Sequence, residues 1–233
     1  METNIAKRVS DYLPYPFLIP NINIYFNILK EKVEVSTSMI VEPRFKEFSK
    51  LILKGIDIDL VSISINGREL DHNQFELSEY ELVIKSTPFY KFELDIKSTI
   101  NPFNNTSLEG LYFSSNMLTT QCEAEGFRRI TFHPDRPDVL SKYSVKIEGD
   151  RNLFPVLLSN GNRKYSGESS DNKNRYVTLW EDPFPKPSYL FALVAGDLET
   201  VSDRYITKSG RLIDLKIYVE KGDEKYTKHA MQS

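Results

Sequence analysis

Apolar side chains recur at every second position over much of this chain. Ile22, Ile24, Phe26 and Ile28 fall two apart, as do Val33, Val35, Thr37 and Met39, with the polar stretch Lys30-Glu31-Lys32 between them. A period of two puts one set of side chains on one side of a strand, so these runs predict a β-hairpin with one face on a core. The alternation returns where Ile56, Ile58 and Leu60 interleave with Asp57 and Asp59. It returns again where Val61, Ile63 and Ile65 run into Asn66-Gly67. Asn-Gly favours a two-residue hairpin turn because both positions tolerate positive φ. Further strands are predicted at 81–84, 90–100, 108–113, 143–148, 154–159, 176–181 and 189–195, with the SNGN sequence at 159–162 as another hairpin turn.

Helical periodicity is weak, and 44–50 and 137–141 are the best local candidates. The opening segment, METNIAKRVSDYLPYPFLIP, carries Pro14, Pro16 and Pro20 and is expected to run extended across a surface. Short strands separated by turn signals point to an all-β sandwich or open barrel. The character of the chain changes near Gly196-Asp197. Beyond it, 198–205 and 212–219 predict one more hairpin, turned at Lys208-Ser209-Gly210, and KYTKHAMQS reads as the first turn of a helix. A stop there leaves Ala230 and Met231 without the rest of an amphipathic face, so the end is expected to be a cut.

Composition narrows the class. Of the 233 residues, 40% are hydrophobic and 27% charged, enough to bury a core. The 13 tyrosines and 14 phenylalanines suit half-buried pleated surfaces. A net charge of −3, a pI near 5.8 and the lack of a Lys/Arg cluster argue against nucleic acid as a partner. The single cysteine, Cys122, excludes an internal disulfide and a cysteine-based zinc knot. No apolar run approaches the roughly 20 residues needed to span a bilayer, and the residues after Met1 lack a signal-peptide core. No membrane partner and a cytoplasmic location are therefore expected, which makes the sequons at Asn104 and Asn105 uninformative.

Catalytic chemistry finds little to use. His72, His133 and His229 form neither HExxH nor an i, i+4 pair; His72 is expected to be solvated and His133 structural. There is no GxSxG elbow and no glycine-rich phosphate loop. Cys122 has no basic neighbour to hold a thiolate, so a small buried hydrophobe is expected. One segment stands apart: TTQCEAEGFRRITFHPDR, from Thr119 to Arg136. If extended, it points Gln121, Glu123 and Glu125 to one side and Cys122, Ala124 and Gly126 to the other. Three polar side chains beside a glycine could wall a site for a cationic or amide-bearing ligand. On pattern alone, an ordinary exposed strand face is the stronger reading.

Five blocks then occur in order. They are NTSLEGLYFS from Asn105, TQCEAEGFR from Thr120, DRPDVL from Asp135, LLSNGN from Leu157 and DPFPKPSYLFALVAGD from Asp182. Together they resemble the N-terminal part of the bacterial aminopeptidase N family, the alanyl-aminopeptidase type of gluzincin zinc exopeptidases, over essentially the whole chain. The resemblance implies a saddle-shaped antiparallel β-sandwich at 1–196, followed at 197–233 by the first hairpin of a thermolysin-like catalytic domain. It implies a zinc enzyme as the parent, with the GAMEN motif, the HExxH ligands and the catalytic tyrosine all beyond Ser233. No metal ligand and no catalytic residue is then expected in this chain, and the chain alone is expected to be inactive. The implied partners are a peptide N-terminus and the missing catalytic domain. Glu123 is implied as one half of a carboxylate pair binding the free α-amino group, and Gln121 as a lining of the pocket for the first side chain. Asp135, Arg136 and Asp138 are read as structural braces, and Glu125 is left open. The alternative is a free-standing β-sandwich that binds protein or carbohydrate.

Overall fold

In the computed structural model the described residues are 8–45 and 50–233. The strands in chain order are β1 (Phe17–Ile28), β2 (Val33–Pro43), β3 (Leu51–Lys54), β4 (Asp59–Ile65), β5 (Arg68–Glu69) and β6 (Phe75–Leu77). They continue with β7 (Glu81–Ile84), β8 (Phe92–Ile100), β9 (Gly110–Ser114), β10 (Met117–Gln121), β11 (Leu140–Asp150) and β12 (Val156–Ser159). The last are β13 (Asn162–Glu168), β14 (Arg175–Pro187), β15 (Leu193–Gly196), β16 (Glu199–Ile206) and β17 (Leu212–Val219), followed by a short helix, α1 (Lys228–Gln232). The molecule is all-β, as its alternation predicts.

Eight strands form the largest sheet in the order β13-β14-β11-β1-β2-β8-β4-β5. The hairpin β1–β2 forms as expected, with Ile24 opposite Thr37 and Phe26 opposite Val35. On β1 the side chains of Phe17, Ile19, Ile22, Ile24, Phe26 and Ile28 are buried, while Asn21 and Asn23 are exposed. Each buried side chain of this kind contributes roughly 1.5–3 kcal/mol. The alternation skips once, between Ile19 and Ile22, where the β1–β2 register shifts around Pro20. Proline cannot donate to a ladder and is tolerated at such an irregularity. β1 also pairs with β11 in parallel, Ile24 opposite Val145, although every other ladder among the described residues is antiparallel. Two smaller sheets, β12-β15-β10-β9 and β3-β7-β6, share one core with the large sheet through Leu51, Leu53, Leu82, Ile84, Leu111, Leu118, Leu157 and Leu193. β16 and β17 form a separate two-stranded sheet.

Several local expectations are corrected. Asn66 and Gly67 do make the left-handed turn, at φ 50° and 76°, but β4 starts only at Asp59 because Asp57 turns the chain at φ 56°. The bend at 160–161 is not a hairpin: β12 pairs with β15 and β13 with β14, so the chain crosses between sheets there. Gly161 makes this possible with φ 85° and a close approach to the Glu181 carbonyl. Residues 137–141 are not helical: a turn at 137–138 leads into β11. Of the helical segment expected at 44–50, residues 46–49 lie outside those described.

Candidate functional site: the Gln121–Arg129 turn

β10 brings the polar segment to the end of a sheet. Its Gln121 lies opposite Gly110 of β9, and its Thr119 opposite Val194 of β15. The strand stops at Gln121, and residues 123–126 turn back. The Gly126 N–H donates to the Cys122 carbonyl at 2.9 Å, the Glu123-Ala124 peptide is cis, and a 3-10 turn follows at Phe127–Arg129. The extended run expected through Glu125 is therefore not formed. Gly126 is the physical reason: a Cβ there would sit 2.3 Å from the Gln121 carbonyl oxygen and 2.9 Å from the Gly110 nitrogen. Only glycine lets the backbone return this close to its own strand.

Gln121, Glu123 and Glu125 are nonetheless all exposed. Ala124, expected inside with Cys122 and Gly126, is exposed as well because the turn replaces the strand. Cys122 is buried as expected, and burial pushes its thiol up, away from the thiolate. Below the turn, Phe127 packs edge-on against His133 at 5.1 Å and Phe191 at 5.2 Å between ring centroids.

The two glutamates of the turn have different surroundings. The Glu125 carboxylate pairs with Arg128 Nη1 at 3.1 Å. Among the described residues, no hydrogen bond or ion pair reaches the Glu123 carboxylate. Its main chain, by contrast, is held: Gln121 Nε2 donates to the Glu123 carbonyl at 2.9 Å. That contact fixes which way the Gln121 amide faces, since its oxygen would repel the carbonyl.

Arg128 is anchored in turn. Its Nε donates to Asp135 Oδ2 at 2.8 Å, and its backbone N–H reaches the same oxygen at 3.2 Å. The Asp135 side chain is only 1% exposed, and its other oxygen accepts from Ser188 Oγ at 2.7 Å. A charge buried this deeply needs such partners. The Asp135 N–H donates to His133 Nδ1 at 3.0 Å, which places the neutral ring's proton on Nε2. Burial lowers the His133 pKa to about 4. His133 is fully buried, with its Nδ1 engaged by the main chain.

Arg136 and Asp138 belong to a different brace. Arg136 donates to both Asp138 oxygens at 2.7 and 2.9 Å, and Asp138 also accepts from the Tyr12 hydroxyl and the Tyr15 N–H. Arg136 reaches the Leu13 carbonyl at 2.9 Å as well, so the pair pins the proline-rich N-terminal segment. The arginine beside it holds the Asp138 carboxyl down at about 2. On the other flank, the Asn105 side chain donates to the Glu109 and Leu111 carbonyls at 2.8 and 2.9 Å, shaping the loop that enters β9.

The site can accept hydrogen bonds and attract a cation through Glu123, but it pairs no nucleophile with a base. Among the described residues, no group of three or more His, Cys, Asp or Glu side chains could hold a metal ion. The hub at Asp135 was not legible as such: the DRPDVL block marks the residue, but its burial and its link to Ser188, 53 positions on, are tertiary facts.

Comparison with known proteins follows the same line. Residues 20–190 match the family described as the peptidase M1 N-terminal domain. Aminopeptidase N of Caulobacter vibrioides is 44% identical over 232 residues, which cover 100% of this chain and 26% of that protein. Aminopeptidase N of Escherichia coli is 42% identical over 98% of this chain and 26% of its own length. Among solved structures, aminopeptidase A of Legionella pneumophila in complex with aspartic acid superposes with a TM-score of 0.86 at 34% identity, covering 94% of this chain and 26% of that one. An M1 zinc metallopeptidase of Deinococcus radiodurans superposes at 0.74 with 12% identity over 89% of this chain and 48% of that one, a likeness of fold alone. The chain thus spans about 26% of the length of the aminopeptidases N it matches.

Proposed function

The chain belongs to the peptidase M1 N-terminal domain family, and on that premise we propose that it is the substrate-recognition domain of a longer zinc-dependent aminopeptidase. In this reading residues 1–196 are the N-terminal domain, and 197–233, with the β16–β17 hairpin and α1, open the catalytic domain. The observation that carries the proposal is the exposed carboxylate of Glu123, which no hydrogen bond or ion pair reaches among the described residues, on a turn where Glu125 is paired with Arg128.

A peptide α-amino group has a pKa near 7.7–8.0 and is mostly cationic at pH 7. A carboxylate accepting from it makes a charge-assisted hydrogen bond, about twice as strong as a neutral one. Held at a fixed point, that bond sets the register so that only the first peptide bond enters the reaction site. Gln121, two residues earlier, is proposed to line the pocket for the first side chain. Zinc, bound by the catalytic domain, would supply Lewis-acid chemistry and an activated water. The residues of this chain bind and orient, and the 233 residues alone are proposed to be without turnover, in the cytoplasm.

The test is kinetic. In the longer protein, Glu123→Gln should raise KM for alanine p-nitroanilide and lower kcat/KM by the value of a charge-assisted hydrogen bond, about 1.5–3 kcal/mol. Unchanged kinetics would return Glu123 to the status of a surface residue. Turnover by the purified 233-residue chain would refute its proposed inactivity.

A further inference from the structure

We propose that the crevice between strands β12–β14 and the β16–β17 hairpin binds a small phosphomonoester through Arg163 and Lys216. Backbone register builds its two walls. On the hairpin, Thr200 lies opposite Tyr218 and Ser202 opposite Lys216, so these four side chains share one face. Across from them, Arg163 of β13 lies opposite Trp180 of β14, and Tyr176 and Thr178 precede Trp180 at alternate positions on the same face. The hairpin face, Arg163, Tyr176, Thr178 and residues 155–158 line one crevice of about 390 Å³. That volume falls within the roughly 300–1,000 Å³ of small-molecule sites. It shares no residue with the Glu123 turn, so it stands apart from the recognition role proposed above.

The lining selects an anion. Among the described residues, two cations line the crevice and no carboxylate does. Neither the Arg163 guanidinium nor the Lys216 ammonium has an ion pair or hydrogen bond among those residues. The acids beside them on the same strands are committed elsewhere: Glu181 pairs with Lys164 at 3.3 Å, and Asp214 with Arg204 at 3.3 Å. Arg163 lies over the Trp180 ring, 6.0 Å from its centroid, a contact that leaves its fork of N–H donors unengaged. The Thr178 hydroxyl accepts from Trp180 Nε1 at 3.1 Å, but the hydroxyls of Tyr176, Thr200, Ser202 and Tyr218 make no hydrogen bond among the described residues. A phosphomonoester carries about −1.5 to −2 charges at pH 7 and three acceptor oxygens. That matches two cations and several hydroxyl donors better than the single charge of a carboxylate does. Val156 and Leu158 offer the rest of the ligand an apolar wall. A ligand that touches both walls ties the hairpin to β12–β14.

Trp180 is the single tryptophan of the chain, so its fluorescence reports on the crevice. The 233-residue chain should be titrated at constant ionic strength with glycerol 3-phosphate, inorganic phosphate and acetate. Glycerol 3-phosphate should give a saturable change in Trp180 fluorescence and raise the melting temperature. It should bind at least as tightly as inorganic phosphate and about tenfold more tightly than acetate. Lys216→Met, which leaves the Trp180 contact intact, should weaken binding of glycerol 3-phosphate about tenfold, the worth of one hydrogen bond to a charged group. Arg163→Met should weaken it at least as much, read by calorimetry because the variant also changes the surroundings of Trp180. Both side chains are exposed, and should one variant fail to fold, the other decides alone. A response that does not saturate, equal binding of acetate, or unchanged affinity in either folded variant would overturn the site. Tighter binding of inorganic phosphate than of the ester would overturn the assignment to a phosphomonoester.

Discussion

Replacing Gly126 by alanine should unlock the turn that carries Glu123. The added Cβ would meet the Gln121 carbonyl oxygen at 2.3 Å, about 1 Å inside the 3.4 Å where ordinary contact begins, with the Gly110 nitrogen at 2.9 Å and the Cys122 Cα at 3.1 Å. All three are backbone atoms, and two belong to the β9–β10 ladder, so no side chain can swing away to relieve the overlap. The return segment must move outward instead. Overpacking of this sort costs about 1–3 kcal/mol, and loss of the Gly126-to-Cys122 hydrogen bond adds about 0.5–1.5 kcal/mol. Urea denaturation of the 233-residue chain measures the total, as a lower midpoint at unchanged slope. At roughly 2–4 °C per kcal/mol for a chain of this size, the melting temperature should fall by about 5–15 °C. Gly67→Ala is the control: its φ is 76° but nothing lies within 4 Å of its Cβ, so it tests backbone strain alone. If Gly126→Ala costs no more than Gly67→Ala, the turn is not held against β10 and the reasoning is wrong.

Two further predictions concern acid. His133 is neutral in the fold with a pKa near 4, below its unfolded value of 6.5, so the unfolded chain binds the extra proton between those values. Stability should therefore fall by about 3 kcal/mol as pH drops from 6.5 to 4, and His133→Gln should flatten that part of a melting-temperature profile; an unchanged slope would refute the assignment. Asp138 is depressed to about 2 from 3.8, so its contribution is complete above pH 4 and disappears as pH falls through 2. Asp138→Asn should remove about 2 kcal/mol at pH 7 and speed proteolysis near Tyr12, which the pair pins; equal cleavage rates would count against that role.

What the sequence reveals depends on how far each feature reaches along the chain. β1 and β2 are legible because one face of each is buried and the other is not, which writes alternation directly into the residues. β13 carries no such signal, since six of its seven residues are exposed at a sheet edge. The β1–β11 pairing joins Ile24 to Val145, and no local pattern encodes a partner that distant. At the candidate site, alternation identified the exposed residues Gln121, Glu123 and Glu125, but by way of a strand that ends at Gln121. What separates Glu123 from Glu125 is Arg128, and what fixes Arg128 is an aspartate made safe to bury by Ser188. Those distinctions exist only once the chain has folded.

The most direct test of the account asks whether Glu123 recognises an amine. The longer protein should be titrated with a competitive inhibitor bearing a free α-amino group and with its desamino twin, in the wild type and in Glu123→Gln. The wild type should prefer the amine by about 10- to 100-fold, as expected for a charge-assisted hydrogen bond, and the variant should lose most of that preference. An undiminished preference in Glu123→Gln would contradict the account.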